Sequence, residues 1–100
     1  MILISVVRSY LKSCKDKERG RVMYNASDLT AEQRATLAKG LRSVMGDTYA
    51  LYVKTHGYHW NVTGPRFKSL HEMFMEQYTE LWTALDEIAE RLRAIGEFAP

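Results

Sequence analysis

Four side chains in this sequence have the types and spacing to share a metal ion: His59, His71, Asp86 and Glu90. Imidazole nitrogens with carboxylate oxygens suit Fe(II), and also Zn(II) or Mn(II), better than calcium or magnesium, which prefer oxygen ligands alone. Asp86 and Glu90 are four residues apart, so on a helix their carboxylates stand on one face and can both reach one cation. With His71 at 0° on a helical wheel, Met75, Trp82, Asp86 and Glu90 fall at about 40°, 20°, 60° and 100°. These ionisable groups therefore lie on or beside an apolar stripe, a setting that invites a functional reading. An ordinary reading competes with it: acids one turn apart usually belong to a solvated face, and a single histidine beside apolar residues is usually structural.

One chain cannot bring the four together, because fifteen residues of helix put His71 about 22 Å from Asp86. A twofold axis near Thr79 removes the difficulty by setting His71 of one chain opposite Asp86 and Glu90 of another, and such an isologous contact generates two sites. His59 falls in line with Met45 and Tyr52 near the end of an earlier helix, where a turn would bring it near His71. His56, close to the same helix end, is read as structural.

The elements that must position these residues are two long helices. Thr30-Ala31-Glu32-Gln33 has the form of a capping box, which starts a helix at Thr30 or slightly earlier at Ser27. Leu37, Leu41, Val44, Thr48, Leu51, Thr55 and Tyr58 recur at spacings of three and four, predicting one buried stripe on a helix that runs to about His59. Asn61-Val62-Thr63-Gly64-Pro65 stops it, with Pro65 suited to the first position of the next helix. Ser69-Leu70-His71-Glu72 is a second possible capping box. Phe67, Leu70, Phe74, Tyr78, Leu81, Leu85, Ile88, Leu92 and Ile95 form a core stripe ending before Gly96. Met75, Trp82 and Ala89 make a further apolar stripe roughly 100° around the same helix, with nothing in the chain to cover it. The expected fold is all-α: an antiparallel helical hairpin.

Composition sets the remaining limits. One hundred residues, 46% hydrophobic and 26% charged, make one globular domain at most. The longest apolar stretch, Ile2 to Val7 broken only by Ser5, is far short of the roughly 20 residues of a membrane-spanning helix and too short for a signal peptide, which points to a cytoplasmic protein. Cys14 is alone and can form no internal disulfide. The net charge of +2 conceals two unlike pieces. Residues 1–23 carry six basic residues against two acidic ones, whereas from Tyr24 onward eight bases face ten acids. A basic leader, residues 1–27, thus precedes a body over 28–100, and Lys12, Lys15, Lys17, Arg19 and Arg21 could touch nucleic acid non-specifically by displacing counterions from phosphate. The alternative for the leader is a solvated tail.

At the residues that suggested the metal site, the sequence resembles the Dps mini-ferritins, the DNA-protection-during-starvation proteins of bacteria. The resemblance runs from about Leu29 to Pro100 and centres on His59-Trp60-Asn61-Val62-Thr63-Gly64-Pro65, on His71 twelve residues after His59, and on Asp86-Glu87-Ile88-Ala89-Glu90. It implies a ferritin-like four-helix bundle, of which this chain supplies the first two helices and stops before the third. It also implies a ferroxidase centre between subunits, with iron held by His59 and His71 of one subunit and by Asp86 and Glu90 of its twofold mate. In such a protein Fe(II) is oxidised by hydrogen peroxide, ferric iron is stored in a shell of twelve subunits, and DNA is spared hydroxyl radicals. Trp60 would stand beside the iron, where its indole could intercept stray oxidising equivalents or simply serve as a packed anchor. Many members carry an acid where this chain has Met75, which bears on how much iron the site holds. A second expectation, of a different class, is a helical assembly or DNA-binding module that has lost its enzyme activity.

Overall fold

The computed structural model describes residues 28–100 and contains, in order, α1 (Ala31–Asn61) and α2 (Phe67–Ala94), with no strand among the described residues. The basic leader, with Lys12, Lys15, Lys17, Arg19 and Arg21, lies outside them. Helix α1 starts where its capping signal predicts. The Gln33 amide donates to Thr30 Oγ1 at 3.2 Å and the Thr30 amide donates to Gln33 Oε1 at 2.9 Å, so two otherwise orphaned amides are satisfied reciprocally.

The second start differs from expectation. Gly64, at φ 102°, turns the chain so that its carbonyl accepts from the Phe67 amide at 3.0 Å, and Pro65 and Arg66 occupy the turn itself. Helix α2 is therefore under way before Ser69 can cap it. Its N-cap, Arg66, makes no side-chain capping bond, and the Ser69 hydroxyl donates instead to the Arg66 carbonyl at 3.1 Å. The far end follows the sequence signal. Gly96, at φ 86°, closes a Schellman motif in which the Gly96 amide donates to the Arg93 carbonyl and the Glu97 amide to the Leu92 carbonyl. Arg42 of α1 then bonds the Glu97 carboxylate at 2.8 Å and the Phe98 carbonyl at 3.2 Å, tying the exit of α2 to its neighbour.

The two helices pack antiparallel along their lengths. Ala38, Leu41, Ile88 and Leu92 form the apolar core, with Met45, Ile95 and Ala99 against it. The contact line on α1 runs Ala38, Leu41, Met45, Thr48, Tyr52, Thr55, His59, a strict alternation of three and four. On α2 it runs Phe74, Tyr78, Leu81, Leu85, Ile88, Leu92, Ile95 with the same alternation, so the pair is registered like a coiled coil. The α2 stripe is the one the sequence predicts, except that Phe67 at its start is exposed. On α1 only Leu41, Thr48 and Thr55 of the expected stripe are buried, and Leu37, Val44 and Tyr58 face outward. The contact line passes instead through Ala38, Met45, Tyr52 and His59, each one residue on from the expected position and so about 100° around the helix. Small side chains at Ala38, Thr48 and Thr55 let the larger Leu and Ile residues of α2 approach closely, which outweighs the greater apolarity of Leu37 and Val44.

Candidate metal centre

The heptad register carries His59, seven residues beyond Tyr52, onto the last turn of the contact line. It carries His71, seven before Tyr78, onto the first turns of α2. The short connection then folds the two imidazoles face to face, with ring centroids 3.7 Å apart and planes 23° from parallel. Each ring is anchored by the other residue's backbone. His59 Nδ1 lies 2.8 Å from the His71 carbonyl oxygen, and His71 Nδ1 lies 2.8 Å from the His59 carbonyl oxygen. A carbonyl can only accept, so both Nδ1 atoms carry the proton and donate it. In a neutral imidazole of that tautomer the lone pair sits on Nε2, and the backbone bond fixes which way it faces. The pair thus keeps one lone-pair nitrogen on each ring, the donor atom through which a histidine could hold a metal. His59 is buried and His71 half-buried.

Asp86 and Glu90 are exposed on α2, about four and five turns beyond His71, on the side that also carries Met75 and Trp82. Among the described residues of the single chain, no group of three or more His, Cys, Asp or Glu side chains gathers closely enough to hold a metal ion. Two imidazoles are brought together, and the two carboxylates are held apart from them. Met75 and Trp82, at 44% and 61% exposure, form the stripe expected from the sequence, left uncovered by the other described residues, with Ala89 half-buried in line with them.

Trp60 is exposed and packs on His56, ring centroids 3.9 Å apart. His56 in turn stacks on Tyr78 at 4.1 Å and 22°. The structural reading of His56 therefore has an identified cause, since its ring fills the space between an indole and a phenol. Tyr78 is the neighbour that the sequence reading placed only in the core. It meets His59 edge-on, at 5.1 Å and 68°. The signal that could have found it is its spacing of seven from His71, matched by Tyr52 at seven from His59.

Residues 38–100 match the family described as a ferritin-like domain. Among curated proteins, the chain is 46% identical over 70 residues to an uncharacterized low temperature-induced protein of Nostoc sp., covering 70% of this chain and 39% of that protein. It is 52% identical over 56 residues to DNA protection during starvation protein 2 of Bacillus anthracis, covering 56% of this chain and 38% of that one. Over 46 residues it is 56% identical to the DNA protection during starvation protein of Brevibacillus brevis, 46% of this chain and 31% of its relative. The chain thus spans less than half the length of these relatives. No helix among the described residues is long and apolar enough to cross a membrane. With the matched family reaching across both helices and the histidine turn between them, the chain belongs to the ferritin-like family, and its resemblance within that family is to the DNA-protection-during-starvation proteins.

Proposed function

We propose that this chain forms part of a ferroxidase that takes Fe(II) as its substrate, oxidises it with hydrogen peroxide and sequesters the ferric product, protecting DNA from the radicals that free Fe(II) and peroxide would generate. The observation that carries this reading is the reciprocal pair of Nδ1 to carbonyl bonds, which leaves an Nε2 lone pair on each of two stacked imidazoles. Metal-binding histidines characteristically donate their other ring N–H in this way, because that outer hydrogen bond sets ring tautomer, orientation and basicity.

The remaining ligands come from Asp86 and Glu90 of a second copy related by a twofold axis near Thr79. The exposed Met75 and Trp82 support that contact, since an apolar stripe flanked by carboxylates is suited to burial against its own image. Two nitrogens and two carboxylates favour Fe(II), with Zn(II) and Mn(II) as competitors at the same site. The carboxylates offset the charge of the ferric product, which stabilises it over Fe(II). Reduction of one peroxide to two waters takes two electrons and two protons, so two Fe(II) become two Fe(III) when iron alone supplies them. Trp60, two rings removed from His59 through His56, stands where an indole can intercept a stray oxidising equivalent.

Incubation of the full chain with Fe(II) and peroxide is expected to give ferric absorbance, and His59→Ala or Asp86→Ala is expected to abolish it. Mixing the two inactive variants tests the intersubunit arrangement directly, because a mixed dimer regains one intact site. Equal rates in the parent chain and both variants would overturn the proposal. If the chain instead retains DNA in a gel without oxidising iron, and the retention fades with salt and with deletion of residues 1–22, the reading as a DNA-binding module replaces it.

A further inference from the structure

The three methionines of α1 and α2 stand in different surroundings. Met45 packs against the apolar core, and Met73 is half-buried on the side of α2 away from Met75. Met75 alone is exposed, one turn beyond His71 and on the stripe that continues to Trp82, whose ring is held 5.7 Å from that of Tyr52. A thioether is apolar, adaptable and favourable beside aromatic rings, so in its reduced form Met75 suits a surface that closes on its own image. With a twofold axis near Thr79, Met75 falls level with Thr83 of the second copy and beside that copy's Trp82. The hydroxyls at this level are already committed. Thr79 Oγ1 donates to the Met75 carbonyl at 2.7 Å, and Thr83 Oγ1 donates to the Thr79 carbonyl at 3.1 Å. A hydroxyl has one proton to give, so a new acceptor on Met75 finds no free donor in either.

We propose that Met75 is a site of modification by hydrogen peroxide, and that its sulfoxide opens the twofold contact. The inference rests on the twofold arrangement of the proposed function, though not on iron oxidation itself. In the step, the sulfur lone pair attacks one peroxide oxygen; the S–O bond forms as the O–O bond breaks. Sulfur loses two electrons, and the departing hydroxide takes the proton of the transferred oxygen and leaves as water. No metal or further reactant enters. The product is polar where the thioether was apolar. Symmetry places two sulfoxides in every contact, and burying each without a donor opposes association. Peroxide reaches the thioether in the separate chain, so oxidation captures copies that are apart and keeps them apart. Asp86 and Glu90 of one copy then no longer meet the histidine pair of the other. Peroxide in excess of iron therefore dismantles the centre, and enzymatic reduction of the sulfoxide restores it.

The test uses the full-length protein and hydrogen peroxide without iron. Peptide mass spectrometry is expected to find one added oxygen on Met75 before Met45 or Met73. Sedimentation equilibrium on the same samples is expected to show the dimer Kd raised at least about tenfold, in step with the fraction of Met75 oxidised and reversed by methionine sulfoxide reductases. Met75→Leu, an apolar replacement of similar volume, is expected to associate equally with and without peroxide. Met75→Gln, polar without oxidation, is expected to associate weakly from the start. An unchanged dimer after complete oxidation of Met75 would overturn the proposal, as would peroxide-driven dissociation of Met75→Leu. A parent protein that is monomeric at every concentration would sink the twofold arrangement and this inference together. A dimer that responds to peroxide but does not oxidise Fe(II) would sink the ferroxidase reading alone.

Discussion

The two ends of the hairpin are held together by different physics. At the end away from the turn, Ala38, Leu41, Ile88 and Leu92 exclude water from an apolar core, and the stabilisation scales with buried area. At the turn end the same contact line carries Thr55 and His59, and its closest contacts are the two hydrogen bonds and the stacked rings of the histidine pair. A net hydrogen bond contributes only about 1 kcal/mol, so the turn end is the weaker in energy although the stricter in geometry. One end holds the helices in register, and the other uses that register to aim two nitrogens. The heptad line joins them: a slip by one residue at Leu41 or Leu92 would rotate His59 away from His71 as surely as a change at the histidines themselves.

The strongest blow to this division of labour is Leu92→Ala, at a fully buried core position of the apolar end. Thermal denaturation followed by circular dichroism is expected to report a loss of about 2–5 kcal/mol, with the histidine site lost along with the fold. A smaller and more local effect is expected from His59→Phe, which keeps a ring but removes the donor to the His71 carbonyl. Stability should fall by about 1–3 kcal/mol for the unsatisfied acceptor, and Co(II) binding, read from its visible spectrum, should disappear while helicity is retained. If His59→Phe destabilises as severely as Leu92→Ala, the turn end is a source of stability and the contrast fails.

Smaller still is Gly96→Ala. A methyl group there would sit 3.1 Å from Arg34 Nη1 on a backbone at φ +86°, and about 1 kcal/mol should be lost in the same melting experiment. The loss should leave the histidine site untouched, since Gly96 lies at the other end. Glu97→Gln removes the ion pair with Arg42, which is partly exposed, and is expected to cost about 0.2–1 kcal/mol, falling as salt is raised. A salt-independent effect would show that the Arg42 bond to the Phe98 carbonyl carries the contact instead.

Most of the scaffold is legible in the residues themselves. The Thr30 to Gln33 box, the Gly64 turn and the Gly96 stop act through bonds to residues close in sequence, and α2 announces its buried face because Leu81, Leu85, Ile88 and Leu92 are apolar and their opposite neighbours are not. Helix α1 is harder to read. Apolar residues surround it on two adjacent stripes, Leu37, Val44, Leu51 and Tyr58 on one and Ala38, Met45, Tyr52 and His59 on the other. Periodicity is satisfied by either, and the choice between them is a matter of which set fits against α2. The exposed face left by that choice, with Leu37 at 45% and Tyr58 at 52%, is a second apolar surface that the described residues do not cover. Of the candidate site, the histidine pair follows from helix length and turn position, whereas Asp86 and Glu90 stand apart from it along α2 and would join it only in the twofold arrangement proposed above.

The sequence by itself determined two helices, where the first starts and the second stops, and the pairing of His59 with His71 across a short turn, because these depend on capping, glycine conformation and spacing along one chain. Tertiary structure decided which stripe of α1 meets α2, that each imidazole donates to the other's carbonyl, and that Tyr52, Tyr78 and Trp82 line up behind the pair. These depend on close packing between surfaces: small residues permit an approach that no count of apolar positions anticipates, and only that approach settles which atoms are within bonding distance.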